Sequence, residues 1–297
     1  MTKPTWTVRR IRPSTSRLSP PTVRNMQVAA LKQRQFETNR GFTLLELLIV
    51  VGIIAMLMML IAPAFTTIKS GTDVTSAAYS IKGVLDTART YAKANNTYTW
   101  VGFFEEDVSR PSTNPPRAGV GRLVMSIVAS NNGTNVYGGA NGPIDPTKLT
   151  QLGKLVKIEN VHVPLFALGT GTGDTFDARP SPSPGSDANN SRFGELNGSS
   201  PNTAPLTSPR SFQYPVGNGP PAAQYTFSRL LEFNPRGESR VIGDSVIRRV
   251  VEIGLIQTHG TATPAPTGTG TGGSIFSGNV VAVQINGFAG DVRIYRR

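Results

Sequence analysis

From Phe42 to Ala62 the chain is apolar at every position except Thr43, Glu46 and the small Gly52. A helix of about 20 residues, rising about 1.5 Å per residue, spans a bilayer core of about 30 Å. The run therefore has the length of a membrane span. After Pro63 the pattern changes. Val74, Ala78, Ile81, Leu85, Ala88 and Ala92 recur in steps of three and four, which is one face of a helix, while most charged side chains fall elsewhere. The pattern predicts one helix from Phe42 to about Lys93, roughly 75–80 Å long. Its first half is apolar all round and its second half on one stripe. Pro63 and Gly71 are points where it could loosen. Asn95-Asn96 ends it.

From Thr97 the period shortens to that of strands. Residues 97–104, 123–129, 154–158, 161–163, 224–233, 246–256, 280–285 and 291–295 are rich in β-branched, aromatic or alternating apolar residues. Turn signals lie between them: Arg110 to Pro116, Asn131-Asn132-Gly133, Asn234-Pro235-Arg236-Gly237, and Asn286 to Gly290 between the last two. Gly169 to Ala223 is dominated by Gly, Pro, Ser, Thr, Asn and Ala. Composition reads it as a flexible insertion that buries little area against its ordering entropy. Gly260 to Gly273 is a low-complexity Thr/Pro/Gly loop. The fold class is α+β: a long N-terminal helix, transmembrane then amphipathic, packed on an antiparallel β-sheet head. The expected division is a cytoplasmic leader at 1–41, a transmembrane and stalk helix at 42–95, and a β-rich head at 96–297 with the insertion 169–223.

Charge changes the picture at the N-terminus. The leader holds nine Lys and Arg against Glu37, which is +8 of the net +12. The basic excess therefore sits before the apolar run, as the positive-inside rule expects, and is poor evidence for a nucleic-acid partner. Met26 offers an alternative start that would shorten the leader. The chain has no cysteine, which excludes disulfides, thiolate metal sites and thiol catalysis.

Glu46 is the one charge in the apolar run. An unpartnered carboxylate there costs about 2.5–3.5 kcal/mol on insertion scales. The basic leader stops at Gly41, so a cut after Gly41 would place a new positive amine on Phe42, a candidate partner for Glu46. Gly41-Phe42-Thr43-Leu44-Leu45-Glu46 resembles the processing site of type IV pilins and type II secretion pseudopilins. The resemblance implies cleavage after Gly41 by prepilin peptidase, N-methylation of Phe42, and neutralisation of a neighbouring subunit's amine by Glu46 during filament assembly. Pro63 sits where that family often carries a helix-loosening proline. A competing reading is signal-peptidase cleavage after Ala62-Pro63-Ala64. The apolar run is longer than the 7–15 residues of a typical signal sequence, and the helical pattern continues past Ala64. The order of the Phe233-x-Pro235-x-Gly237 turn, a strand and a terminal hairpin is loosely similar to the head of GspH/FimT-type minor pseudopilins.

No catalytic pattern is present: no H-E-x-x-H, G-x-S-x-G or P-loop. His162 and His259 are read as ordinary imidazoles. Glu105-Glu106-Asp107 is an acidic cluster that could attract Ca²⁺ but lacks a spaced ligand loop, and is read as a solvated strand end. The expectation is a non-enzymatic structural subunit without cofactor or metal. It would be anchored in the inner membrane by a single pass, with the N-terminus cytoplasmic and the head outside. Its implied partners are prepilin peptidase/methylase, other pilin or pseudopilin subunits, membrane lipid and the secretion or pilus machinery. A second reading is a DNA-binding minor pilin of an uptake pilus. It rests on Arg248-Arg249 and on the tail Arg293, Tyr295, Arg296 and Arg297, whose phosphate contacts would be salt-dependent. The plainer reading of that tail is a strand edge kept from pairing by its charges. A third reading is a membrane-anchored head with no role in a filament.

Overall fold

The computed structural model describes residues 42–110, 116–135, 144–182, 192–193, 210–217, 224–242 and 246–297, with the side chains of 60–72 and 192–193 outside the description. The chain divides into two units, Met1–Ile54 and Ala55–Arg297. The leader, Gly41 and most of 183–209 lie outside the described residues.

In the first unit the described part is the start of α1 (Leu44–Ala94). α1 is assigned as helix through Pro63 and Gly71. It stops where the sequence places its end. Asn96 adopts the left-handed conformation at φ 48°, and the Thr97 amide returns to the Ala92 carbonyl at 3.0 Å. That bond satisfies a terminal carbonyl that would otherwise lack a donor.

The second unit is a sheet covered on both sides. Its strands, in chain order, are β1 (Thr99–Asp107), β2 (Gly121–Ser130), β3 (Leu149–His162), β4 (Arg192–Phe193), β5 (Phe212–Tyr214), β6 (Tyr225–Phe227), β7 (Arg229–Phe233), β8 (Ser239–Val241), β9 (Val250–Gln257), β10 (Gly268–Gly270), β11 (Gly273–Ile275), β12 (Val280–Asn286) and β13 (Val292–Arg296). Among the described residues, the main sheet has the order β13-β12-β9-β3-β2-β1-β7-β8. All of these pairings are antiparallel; β4 adds to β9 in parallel. Two small hairpin-like pairs, β5–β6 and β10–β11, stand apart from it. Among the described residues, the two halves of the main sheet are joined by the short β3–β9 pairing of Val161 with Gln257 and His162 with Ile256, extended by the Thr258 amide donating to the Asn160 carbonyl at 2.9 Å.

Period-2 alternation sorts the side chains. Val101 and Phe103 of β1, Leu123 and Met125 of β2, Val251, Ile253 and Leu255 of β9, and Val281, Val283 and Ile285 of β12 share one cluster with the α1 face Val74, Ala78, Ile81, Leu85, Ala88 and Ala92. Each of those six helix residues is fully buried. Burial of a leucine or isoleucine side chain is worth about 1.5–3 kcal/mol, so this stripe is what holds α1 to the sheet. The other face carries two clusters. One gathers Trp100, Val124, Val128, Phe212, Tyr225, Phe227 and Leu230 under the β5–β6 pair. The other gathers Phe166, Phe176, Ile256, Phe276, Val280, Ala282 and Tyr295.

Several elements differ from the sequence reading. The segments 154–158 and 161–162 are parts of one 14-residue strand, β3, and Val163 lies just past its end. Gly153 at φ 75° and Asn160 at φ 62° absorb its irregularities without ending it. The run 224–233 breaks at Ser228: β6 pairs with β5, whereas β7 pairs with β1. The strand expected over 246–256 is β9, and it begins at Val250, not at Val246. Part of the Thr/Pro/Gly loop forms the β10–β11 pair. The span 169–223, read as a flexible insertion, supplies packed structure at both ends. Phe176 and Arg179 are buried near one end, and β5 closes a cluster near the other. Composition missed this because a few large side chains, not the average, set the packing.

Candidate processing and assembly site

Phe42 and Thr43 precede α1, and large apolar side chains from Phe42 to Met59 remain exposed, including Phe42 and Met59 at 82% each. Thr43 caps the helix. Its hydroxyl accepts the Glu46 amide at 3.2 Å. The Glu46 carboxylate in turn accepts the Thr43 amide at 2.9 Å and the Thr43 hydroxyl at 3.0 Å through Oε2. This reciprocal arrangement is a capping box. Glu46 therefore has a partner inside its own chain, besides the Phe42 amine considered from the sequence. The signal is present in the sequence as Thr-x-x-Glu at the head of an apolar run, although a lone carboxylate there points first to an amine. In the uncut chain the Phe42 nitrogen is a peptide nitrogen, so the expected amine pairing has no counterpart here.

The described apolar part of the helix, Leu44 to Met59, is about 24 Å long. Among the described residues no helix is long and apolar enough to cross a membrane. Leu60, Ile61 and Ala62, which would complete the expected span, belong to the side chains outside the description. Gly41, the other half of the expected cleavage site, is outside it as well.

The tail residues do not form one patch. Tyr295 is buried at 5% exposure. Arg296 reaches Thr75 of α1 at 3.4 Å. Arg297 is held by both carboxylate oxygens of Asp177 at 2.9 and 3.1 Å and by the Phe276 carbonyl at 2.9 Å. Arg293 is exposed, and among the described residues its charged partner is Asp291 at 3.7 Å. Strand alternation and two specific partners thus disperse a run that looks continuous in sequence.

The acidic cluster is also dispersed, and it is not the solvated strand end expected of it. Glu105 and Glu106 are buried. Glu105 pairs with His162 Nδ1 at 2.6 Å. Glu106 meets Arg122 at 3.1 Å and accepts from the Tyr225 hydroxyl at 3.3 Å. Burial opposes the charge of Arg122, but hydrogen bonds and opposite charges from Glu159 and Glu106 outweigh it and raise its pKa. Asp107 turns outward to cap Ser109, whose hydroxyl and amide hold its carboxyl below the usual range. His259 contacts Gln257 at 2.7 Å. Among the described residues no group of His, Asp or Glu is placed to hold a metal ion.

The sequence reading did not find the ion pairs that close the second face of the sheet. Arg179 donates to Glu252 from Nε at 2.7 Å and from Nη2 at 3.1 Å, and to the carbonyls of Phe176 and Ala167 at 2.7 Å each. Gln284 donates to the same carboxylate at 2.7 Å. Glu232 accepts from Trp100 Nε1 at 2.9 Å and from Arg240 at 2.8 Å. These contacts are structural, and nothing in the local sequence pairs them.

No curated protein and no solved structure matches the chain. Residues 38–62 match the family model of the prokaryotic N-terminal methylation motif. The matched span contains Gly41, Phe42, the Thr43–Glu46 capping box and the exposed apolar helix, and it supports a type IV pilin-like prepilin processed by prepilin peptidase.

Proposed function

We propose that the chain is a minor structural subunit, a pseudopilin, of a type II secretion pseudopilus or type IV pilus. It is cut after Gly41, methylated on Phe42 and assembled through its N-terminal helix, and it is not an enzyme. Before assembly it waits in the inner membrane with a single pass and its head outside. The observation that carries the reading is the methylation-motif match over 38–62, on a helix whose described large apolar side chains up to Met59 are exposed. Leu44 to Met59 would be satisfied by lipid before assembly and by sister helices after it.

The DNA-capturing alternative ranks second because Tyr295 is buried and Arg297 is committed to Asp177.

Mass spectrometry of the membrane-extracted protein should find Phe42, methylated, as the N-terminus. A terminus at Phe65 would mean ordinary signal-peptidase cleavage and would sink the reading. Gly41→Leu should leave the precursor uncut. Glu46→Val should still be cleaved and keep its head folded, yet enter sheared filaments poorly. Glu46→Gln, which can still accept the Thr43 bonds, separates the two roles of the carboxylate. Normal assembly of the glutamine variant would assign Glu46 to capping rather than to charge pairing.

A further inference from the structure

β9, β12 and β13 bring together residues that are far apart in sequence. Arg249, Gln284, Asn286, Asp291, Arg293 and Tyr295 line a cavity of ≈ 160 Å³, with Pro180 at one side. The register explains the meeting: Gln284 lies opposite both Glu252 and Arg293, and Asn286 opposite Val250, next to Arg249. The Gly287 amide fixes the Arg249 carbonyl at 3.1 Å. A Cβ at Gly287 would overlap the Arg248 carbonyl oxygen, so the close approach needs glycine there.

The polar groups here are not used up. The Arg249 guanidinium has no partner among the described residues, and Arg293 has only the distant Asp291 carboxylate. Tyr295 is 5% exposed, its ring belongs to the apolar cluster behind the cavity, and its hydroxyl has no hydrogen-bond partner among the described residues. Asn286 spends its Oδ1 on the Phe288 and Ala289 amides, which leaves its Nδ2 donor to the cavity. The lining therefore offers donors in excess: two guanidinium groups, an amide and a hydroxyl.

We infer that this cavity binds a carboxylate presented by a protein partner, either an acidic side chain or a chain terminus. Guanidinium groups suit a planar carboxylate because they donate two parallel hydrogen bonds. The volume is close to that of a cavity that holds benzene, about 150 Å³. A carboxyl group with a short stem fits and a nucleotide does not. Asp291 on the lining works against a polyanion, and Arg296 and Arg297 are turned to other partners, so those two cations do not extend the cavity along a phosphate backbone. The inference rests on the head alone and stands whether or not the chain enters a filament.

The test is calorimetric titration of the full processed chain in detergent at fixed ionic strength. The probes are a short N-acetylated peptide with a free C-terminal carboxylate, the same peptide amidated, an amidated peptide with one internal glutamate, acetate, inorganic phosphate and a duplex oligonucleotide. The two carboxylate peptides are expected to bind saturably, and the amidated control at least tenfold more weakly. Arg249→Ala should weaken binding tenfold or more, and Arg249→Lys should recover part of the loss. Tyr295→Phe keeps the ring and should weaken binding by a smaller factor. Arg296→Ala should change nothing. Equal binding of the acid and amide peptides, indifference to Arg249→Ala, or no saturable binding at all would overturn the assignment. So would tighter binding of phosphate or DNA than of the peptides. Acetate binding as tightly as the peptides would make the site one for a free small acid and refute the protein partner.

Discussion

On one face of the sheet, α1 lays Val74, Ala78, Ile81, Leu85, Ala88 and Ala92 against alternating residues of β1, β2, β9 and β12. On the other face, cover comes from irregular chain: the segment around Phe166, Phe176 and Arg179, the β5–β6 pair, and the stretch near Phe276. The first contact is long, regular and apolar. The second is assembled from pieces and is tied down by buried charge. Arg179 is locked to Glu252 on β9, and Trp100 and Arg240 meet on Glu232 of β7. A helix satisfies its own backbone hydrogen bonds and can bury a face with no further help. Irregular chain has backbone groups left over, and Arg179 satisfies two of them, the Phe176 and Ala167 carbonyls.

The comparison breaks most visibly at Arg179. Arg179→Ala leaves the Glu252 carboxylate buried without its cation and frees both carbonyls. A buried pair broken from one side costs about 3–5 kcal/mol. Denaturant unfolding of the processed chain in detergent should show a loss of that size. Arg179→Met combined with Glu252→Met should recover much of it, because no uncompensated charge remains. A loss below about 1 kcal/mol for the single variant would mean that the second face is held by its aromatic rings instead.

The helix face responds by a different rule. Leu85→Ala should cost about 2–5 kcal/mol through lost burial and the cavity left behind. Leu85→Met, which keeps the volume, should cost less than about 1.5 kcal/mol. The contrast is diagnostic: volume governs the helix face, and pairing governs the other. If Leu85→Met were as damaging as Leu85→Ala, the helix contact would need shape as well as volume.

This difference also explains what could be read in advance. The α1 stripe and the strands of the main sheet follow from periods of 3.6 and 2, which are local properties. The methylation motif was readable for the same reason, since the residues that carry the resemblance, Gly41, Phe42 and Glu46, lie within six residues beside one apolar run. The capping box was equally local and was missed only because Glu46 was already assigned another partner. The partners of Arg179, Glu252, Glu232 and Glu105 are not local. They depend on the register of strands far apart in the chain, and one-dimensional spacing holds no record of it. Composition erred in the same place: 169–223 is poor in large apolar residues on average, yet Phe176, Arg179 and Phe212 are enough to fix its ends.

A smaller effect is expected at Trp100, where the second face mixes ring packing with a charged hydrogen bond. Trp100→Phe keeps an aromatic ring but removes the donor to Glu232. Hydrogen bonds to charged groups are worth about 1.5–3 kcal/mol. Arg240 continues to hold the other Glu232 oxygen, so the loss should fall near the lower end. A double-mutant cycle between Trp100→Phe and Arg240→Ala measures whether the two donors act together. Strict additivity would show that they stabilise Glu232 independently.

The smallest effect lies where the second face begins. Ile144 enters the Trp100 cluster, and its amide bonds the Ser211 carbonyl at 3.0 Å. The next residue, Asp145, caps the short turn that follows by accepting the Thr147 hydroxyl at 2.7 Å and amide at 3.0 Å. The Thr147 hydroxyl bond is the largest cause, and the amide bond the next, of a carboxyl pKa held below its ordinary 3.8. A carboxylate depressed in the folded state stabilises the fold above its ordinary pKa, and that contribution disappears as pH falls through the folded value. The window therefore lies below pH 3.8. Asp145→Ala should lower stability at neutral pH, and the gap to wild type should close on acidification through that window. Thr147→Val, which deletes the hydroxyl and keeps the amide, should show part of the same pH dependence. A gap that stays constant down to pH 2 would assign the Asp145 effect to chain geometry and leave the carboxylate without a role in anchoring Ile144.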